Sequence, residues 1–135
     1  MKPPLGIRSN NPGNLRPGAT RWQGELDPDP RGYCRFDTPE NGIRAMAKNL
    51  LAYQERHSLR TVDRIISRWA PGNENDTESY IIAVCSSTGY RRDERLDLRE
   101  YGTLERLVLA IIKHENGMQP YDDAVILSGL VRALT

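Results

Sequence analysis

The chain has 135 residues, 38% of them hydrophobic and 27% charged, a balance that suits one soluble globular domain with a real core. Its 19 basic and 18 acidic residues leave a net charge of +1, which excludes a nucleic-acid binder that works by neutralising phosphates, although Lys2, Arg8, Arg16 and Arg21 make the start lean basic. Cys34 and Cys85 make no disulfide framework and read as buried free thiols, and His57 and His114 stand alone, so neither a metal site nor a cofactor is expected.

Residues 1–20 carry Pro3-Pro4, Asn10-Asn11-Pro12-Gly13-Asn14 and Pro17-Gly18, and are predicted as a loop of turns with no helix. A β-hairpin is predicted over 21–36, where Arg21 to Glu25 and Tyr33 to Phe36 flank the turn-forming Asp27-Pro28-Asp29-Pro30-Arg31-Gly32. A helical body fills 37–135. Asp37-Thr38-Pro39-Glu40 starts a helix whose Ile43, Met46, Leu50 and Tyr53 recur at helical spacing to about Glu55. Thr61 caps the next, with Val62, Ile65, Ile66 and Trp69 as core residues before Pro71-Gly72. Asn75-Asp76-Thr77-Glu78 opens a third, with Tyr80, Ile81, Val84 and Cys85 on its stripe and Gly89 as its stop. Leu96 and Leu98 anchor a charged connection. Gln119-Pro120-Tyr121-Asp122-Asp123 starts the last helix, predicted to bury Leu127, Leu130, Val131 and Leu134. The expected fold is α+β, mostly helical, with one small β-hairpin in a single domain.

The most apolar stretch, Thr103 to Gly117, organises the rest. Leu104, Val108, Ile111 and Glu115 are spaced four, three and four apart, so they project from one side of a helix. Asn116-Gly117 is the stop expected at a helix C-terminus. Glu115 is therefore an inward-facing carboxylate at the negative end of a helix dipole. That is the setting in which a carboxylic acid keeps its proton near neutral pH and acts as a general acid.

A helix ending in Glu-Asn-Gly, a small hairpin and a cleft-sized helical body resemble the lysozyme-like superfamily. Gly6-Ile7-Arg8-Ser9-Asn10-Asn11-Pro12-Gly13-Asn14-Leu15-Arg16, Trp22-Gln23-Gly24, and Phe36 to Ala45 are similar to blocks of phage and prophage proteins. So are Trp69-Ala70-Pro71 with Glu74-Asn75-Asp76-Thr77, and Ala110 to Gly117. These proteins are described in some cases as virion structural proteins and in others as endolysins. In the lytic transglycosylases and N-acetylglucosaminidases of the superfamily the Glu helix comes first; here it comes late, an order that looks like a circular permutation.

The resemblance implies a lysozyme-like fold and cleavage of the peptidoglycan glycan strand at its β-1,4 MurNAc-GlcNAc bonds, with Glu115 as the acid. It also implies a tyrosine hydroxyl beside that acid, for which Tyr80 and Tyr121 are the candidates. Glycosidic cleavage usually enlists a second carboxylate. Asp27, Asp29, Asp37 and Glu40 each have a turn or capping role, which leaves Glu25 as first choice. Without such a partner the lytic-transglycosylase route applies, in which the sugar's own N-acetyl group assists and an anhydro product forms. Asn11 and Asn14 are candidate amide contacts to the sugar and Trp22 a stacking surface. The expected partner is the glycan strand, with no nucleic acid and no membrane insertion, the longest apolar run being Leu107 to Ile112. A monomer is expected. With no signal-peptide pattern at the N-terminus, it would stay in the host cytoplasm until another factor releases it, or travel in the virion. The alternative is a non-catalytic virion structural or cell-wall-binding protein.

Overall fold

The computed structural model describes residues 2–73 and 75–135. Glu74, part of one motif block, and Met1 lie outside the described residues. The fold is α+β and mostly helical: α1 (Leu5–Arg8), β1 (Glu25–Leu26), β2 (Arg35–Phe36), α2 (Pro39–His57), α3 (Val62–Trp69), α4 (Thr77–Thr88), α5 (Tyr101–Asn116) and α6 (Asp123–Leu134). No described helix is long and apolar enough to cross a membrane.

Local chemistry sets the helix ends. Thr38, Asp76 and Asp122 occupy N-cap positions and accept from the backbone N–H groups of Asn41, Ser79 and Val125. Gly89 and Gly117 close α4 and α5 in the left-handed conformation, with φ of 82° and 71°. Thr61 stands at the N-cap of α3, but its hydroxyl donates to Asp63 instead of capping the backbone.

Three expectations need correction. The first loop does contain a helical turn, α1, in which the carbonyl of Pro4 accepts from Ile7 and Arg8. Leu5 to Arg8 hold no proline, and Pro4 with φ −54° is already shaped for a helix start. The hairpin is shorter than predicted, with Glu25 opposite Phe36 and Leu26 opposite Arg35, because Trp22 to Glu25 close a turn of their own.

The buried face of α6 is also rotated. It buries Ile126, Gly129, Leu130 and Ala133, while Leu127 and Val131 remain 50% and 44% exposed. The cause is a close approach to α2. A Cβ on Gly129 would lie 2.6 Å from Ile43 Cγ2, so α6 docks through its small residues and not through its bulkiest stripe.

α2 runs along α6, α4 packs on α3 and α5, and α5 also meets α1, α2 and α6. Leu104, Leu107, Val108, Ile111 and Ile112 of α5 are fully buried, which makes α5 the spine of the core. Leu96 and Leu98 are buried in the connection that precedes it. Cys34 is a buried free thiol, whereas Cys85 is only half-buried.

Candidate active site

The site begins where α5 ends. Asn116, buried, donates from Nδ2 to the carbonyls of Ile112 at 2.9 Å and Pro12 at 2.8 Å, which ties the helix terminus to the N-terminal loop. That loop is held from inside by Asn11. Its Nδ2 donates to the carbonyls of Leu15 and Cys34 and its Oδ1 accepts from the Leu15 amide, each at 3.0 Å. Asn11 is 1% exposed and lines none of the hollows described below, so its amide braces the loop and does not face the groove.

Asn14 has φ of 51°, a left-handed conformation that asparagine tolerates. Its Nδ2 donates to Glu115 Oε1 at 2.8 Å. Gly6 leaves room for this arrangement, since a Cβ there would lie 2.7 Å from Asn14 Oδ1 and 2.5 Å from Asn116 Oδ1. From α4, the 2%-exposed Tyr80 donates its hydroxyl to Glu115 Oε2 at 2.6 Å. Burial first, and then the Glu115 carboxylate, push the Tyr80 phenol far above its ordinary range, so it stays a donor. The His114 ring lies on Tyr80 with centroids 3.9 Å apart and planes tilted by 40°. Both oxygens of half-buried Glu115 are thus held by donors from separate parts of the chain.

Glu115 opens onto a hollow of about 250 Å³ that also takes in Gly13, Asn14, Leu15, Arg16, Tyr33, Asn49, Tyr53, Trp69, Ala70 and Asn75. A second hollow, of about 370 Å³, is lined by Glu115 together with Asn75, Asp76, Ser79, Tyr80 and His114. A third, of about 200 Å³, shares Leu15, Arg16 and Asn49 with the first and ends at Trp22. Neighbouring hollows share lining residues, Asn75 and Glu115 on one hand and Leu15, Arg16 and Asn49 on the other, and this set of adjoining hollows is the groove. Trp69, predicted as core, is partly buried, meets Tyr53 edge-on at 6.2 Å and faces this groove.

Glu25 lies apart from it. Its Oε1 accepts from the Trp22 amide at 2.9 Å, its Oε2 sits 3.9 Å from Cys34 Sγ, and it lines none of the three hollows. Burial, followed by the Glu25 charge, pushes the Cys34 thiol up to about 11. Tyr121 is also absent from the groove walls, its hydroxyl buried without a hydrogen-bond partner among the described residues and raised by burial to about 12. Asp76 shares the second hollow with Glu115, but its two oxygens accept from the amide and hydroxyl of Ser79.

The structure thus brings Glu115, Asn14, Tyr80 and Trp22 to one groove and leaves Asn11, Glu25 and Tyr121 outside it. Arg16, Tyr33, Asn49, Tyr53 and Asn75 also line the groove and were not singled out from the sequence. Asn49 and Tyr53 are four apart on α2, and the Asn49 amide donates to the Tyr53 hydroxyl at 3.3 Å. That polar spacing beside an apolar stripe is a signal the sequence does contain. Among the described residues, no group of three or more His, Cys, Asp or Glu side chains is arranged to hold a metal ion.

Fold and site define a mostly helical α+β protein that presents one clamped carboxylate to a set of adjoining surface hollows. No protein-family model matches the sequence. The chain is, however, 42% identical over 121 residues to Protein P5 of Pseudoalteromonas phage PM2, an alignment that covers 86% of this chain and 73% of that protein. The chain belongs to the family of this bacteriophage protein.

Proposed function

We propose that the protein is a peptidoglycan-cleaving glycosidase of lysozyme type, with Glu115 as the general acid at the β-1,4 MurNAc-GlcNAc bond. The observation that carries this reading is the double clamp on Glu115, by Tyr80 at 2.6 Å and Asn14 at 2.8 Å, beside a hollow lined by aromatic and amide side chains. Two fixed donors set the direction of the carboxyl group before substrate arrives, as proton transfer to a leaving oxygen demands. Trp22, Tyr33, Tyr53 and Trp69 supply flat surfaces of the kind sugar rings pack on.

Glu25 is engaged inside the hairpin and Asp76 is committed to Ser79, which favours the route with one catalytic carboxylate. Glu115 first gives its proton to the leaving oxygen as the substrate's N-acetyl oxygen closes on the anomeric carbon. It then takes a proton from the sugar's own hydroxyl as that oxygen attacks the anomeric carbon, the bond to the N-acetyl oxygen breaks to restore the acetamide, and the anhydro ring forms. A bacteriophage protein with this activity would open the host wall during lysis or entry, either from the cytoplasm after release by another factor or from the virion.

The test is turbidity loss of outer-membrane-permeabilised Gram-negative cells, with mass spectrometry of the released fragments. Wild type should clear the cells and release anhydro ends, and Glu115→Gln should lower the rate by on the order of a thousandfold. Equal rates would remove Glu115 from the chemistry. No clearing by either protein would leave the alternative, a structural or wall-binding protein of the virion.

A further inference from the structure

We propose that Arg16 and Tyr33 form a carboxylate clamp in the groove, so that it takes a glycan carrying carboxylates in preference to a neutral one. The inference rests on reading the groove as a glycan seat, but not on turnover. Arg16 is oriented twice by the same residue: its guanidinium carbon lies 4.4 Å from the centroid of the Tyr33 ring, and its Nη2 donates to the Tyr33 hydroxyl at 3.2 Å.

Tyr33 is itself held by a tight turn. Asp29 Oδ1 accepts from the amides of Arg31 and Tyr33, both at 2.9 Å, and the Asp29 amide donates to the Tyr33 carbonyl at 2.9 Å. The backbone that carries the ring beneath the guanidinium is therefore pinned.

Arg16 has no carboxylate partner among the described residues, where the ion pairs are those of Arg91, Arg92 and Arg99. Within the hollow that holds Glu115 it is the one cationic side chain among the described lining residues, and it also lines the outer hollow that ends at Trp22. A stacked guanidinium keeps its remaining N–H donors pointed outward and loses little rotamer freedom when it binds. Its fork matches a carboxylate with two parallel hydrogen bonds, which a neutral sugar cannot offer. In the wall glycan such carboxylates come from the stem peptide or, where the peptide has been removed, from the lactyl ether, and the chemistry is shared.

Binding is measured in the Glu115→Gln background, so that the polymer stays intact, on purified sacculi, on sacculi whose carboxyl groups have been amidated, and on chitin. Arg16→Gln should weaken binding to native sacculi by on the order of tenfold. Amidation should weaken it by a similar factor, and the two changes together should cost no more than either alone. Tyr33→Phe, which keeps the ring and loses the tether, should cost less than Arg16→Gln. Amidase-stripped strands, whose lactyl carboxylates are free, separate the two sources: Arg16-dependent binding there assigns the lactyl group, and on intact strands alone the peptide.

Equal losses for Arg16→Gln on native and amidated sacculi, or no loss on either, would overturn the clamp. A protein that binds in an Arg16-dependent way but never clears cells would refute the glycosidase and leave the clamp. An active enzyme blind to substrate charge would do the reverse.

Discussion

Tyr80 holds the proposed acid with a single oxygen, which makes Tyr80→Phe a sharper probe than any larger change. The ring stays in the core, stacked on His114, and only the donor at 2.6 Å from Glu115 Oε2 is lost. Glu115 would keep the Asn14 amide on its other oxygen and gain freedom to turn. A hydrogen bond to a charged group contributes roughly 1.5–3 kcal/mol, so kcat should fall by about tenfold or more. KM should hardly move, because Tyr80 lines neither the hollow shared with Arg16 and Trp69 nor the one that reaches Trp22. Steady-state kinetics on soluble glycan strands separate the two constants; a rise in KM at constant kcat would make Tyr80 a binding residue.

At the scale of elements, what could be read in advance was what neighbours in sequence decide. Thr38, Asp76, Gly89 and Gly117 act within one helical turn of themselves, so the start of α2, both ends of α4 and the end of α5 that carries Glu115 were legible. The docking face of α6 was not, because it depends on Ile43, which lies on another helix. The groove behaves likewise: Asn14 reaches Glu115 across 101 positions, and Arg16 meets Tyr33 across 17. Glu25 looked free only because the Trp22 amide that it accepts from belongs to a turn the hairpin pattern did not reveal. The α6 geometry makes a prediction of its own. Gly129→Val should destabilise the fold by about 1–3 kcal/mol, since the new side chain meets Ile43 and the Glu40 carbonyl, which lies 3.1 Å from a Cβ at this position. Leu127→Ala, on the exposed flank of the same helix, should change stability by less than about 0.5 kcal/mol. Urea unfolding of the two variants measures the contrast, and equal losses would mean that α6 docks on its bulky stripe after all.

At the scale of the whole molecule, several phenols and a thiol share one bias. Burial raises Cys34, Tyr53, Tyr80 and Tyr121 above their ordinary values, and each is uncharged while it keeps its proton. A group raised on folding contributes stability that is complete below its unfolded value and is lost as pH rises through its folded one. For Cys34 that window runs from 9.0 to about 11, and for Tyr121 from 10.0 to about 12. The thermal midpoint should therefore hold level up to about pH 9 and fall steadily above it. Cys34→Ala should flatten the first part of that fall at some cost in packing. Tyr121→Phe should flatten the later part and cost nothing at neutral pH, because the hydroxyl it removes has no partner among the described residues; a gain of about 1 kcal/mol is expected there. Calorimetry across the alkaline range checks both. A midpoint that stays level throughout, or a loss of stability in Tyr121→Phe near neutrality, would mean that these groups reach solvent or a partner and are not held in the dry interior.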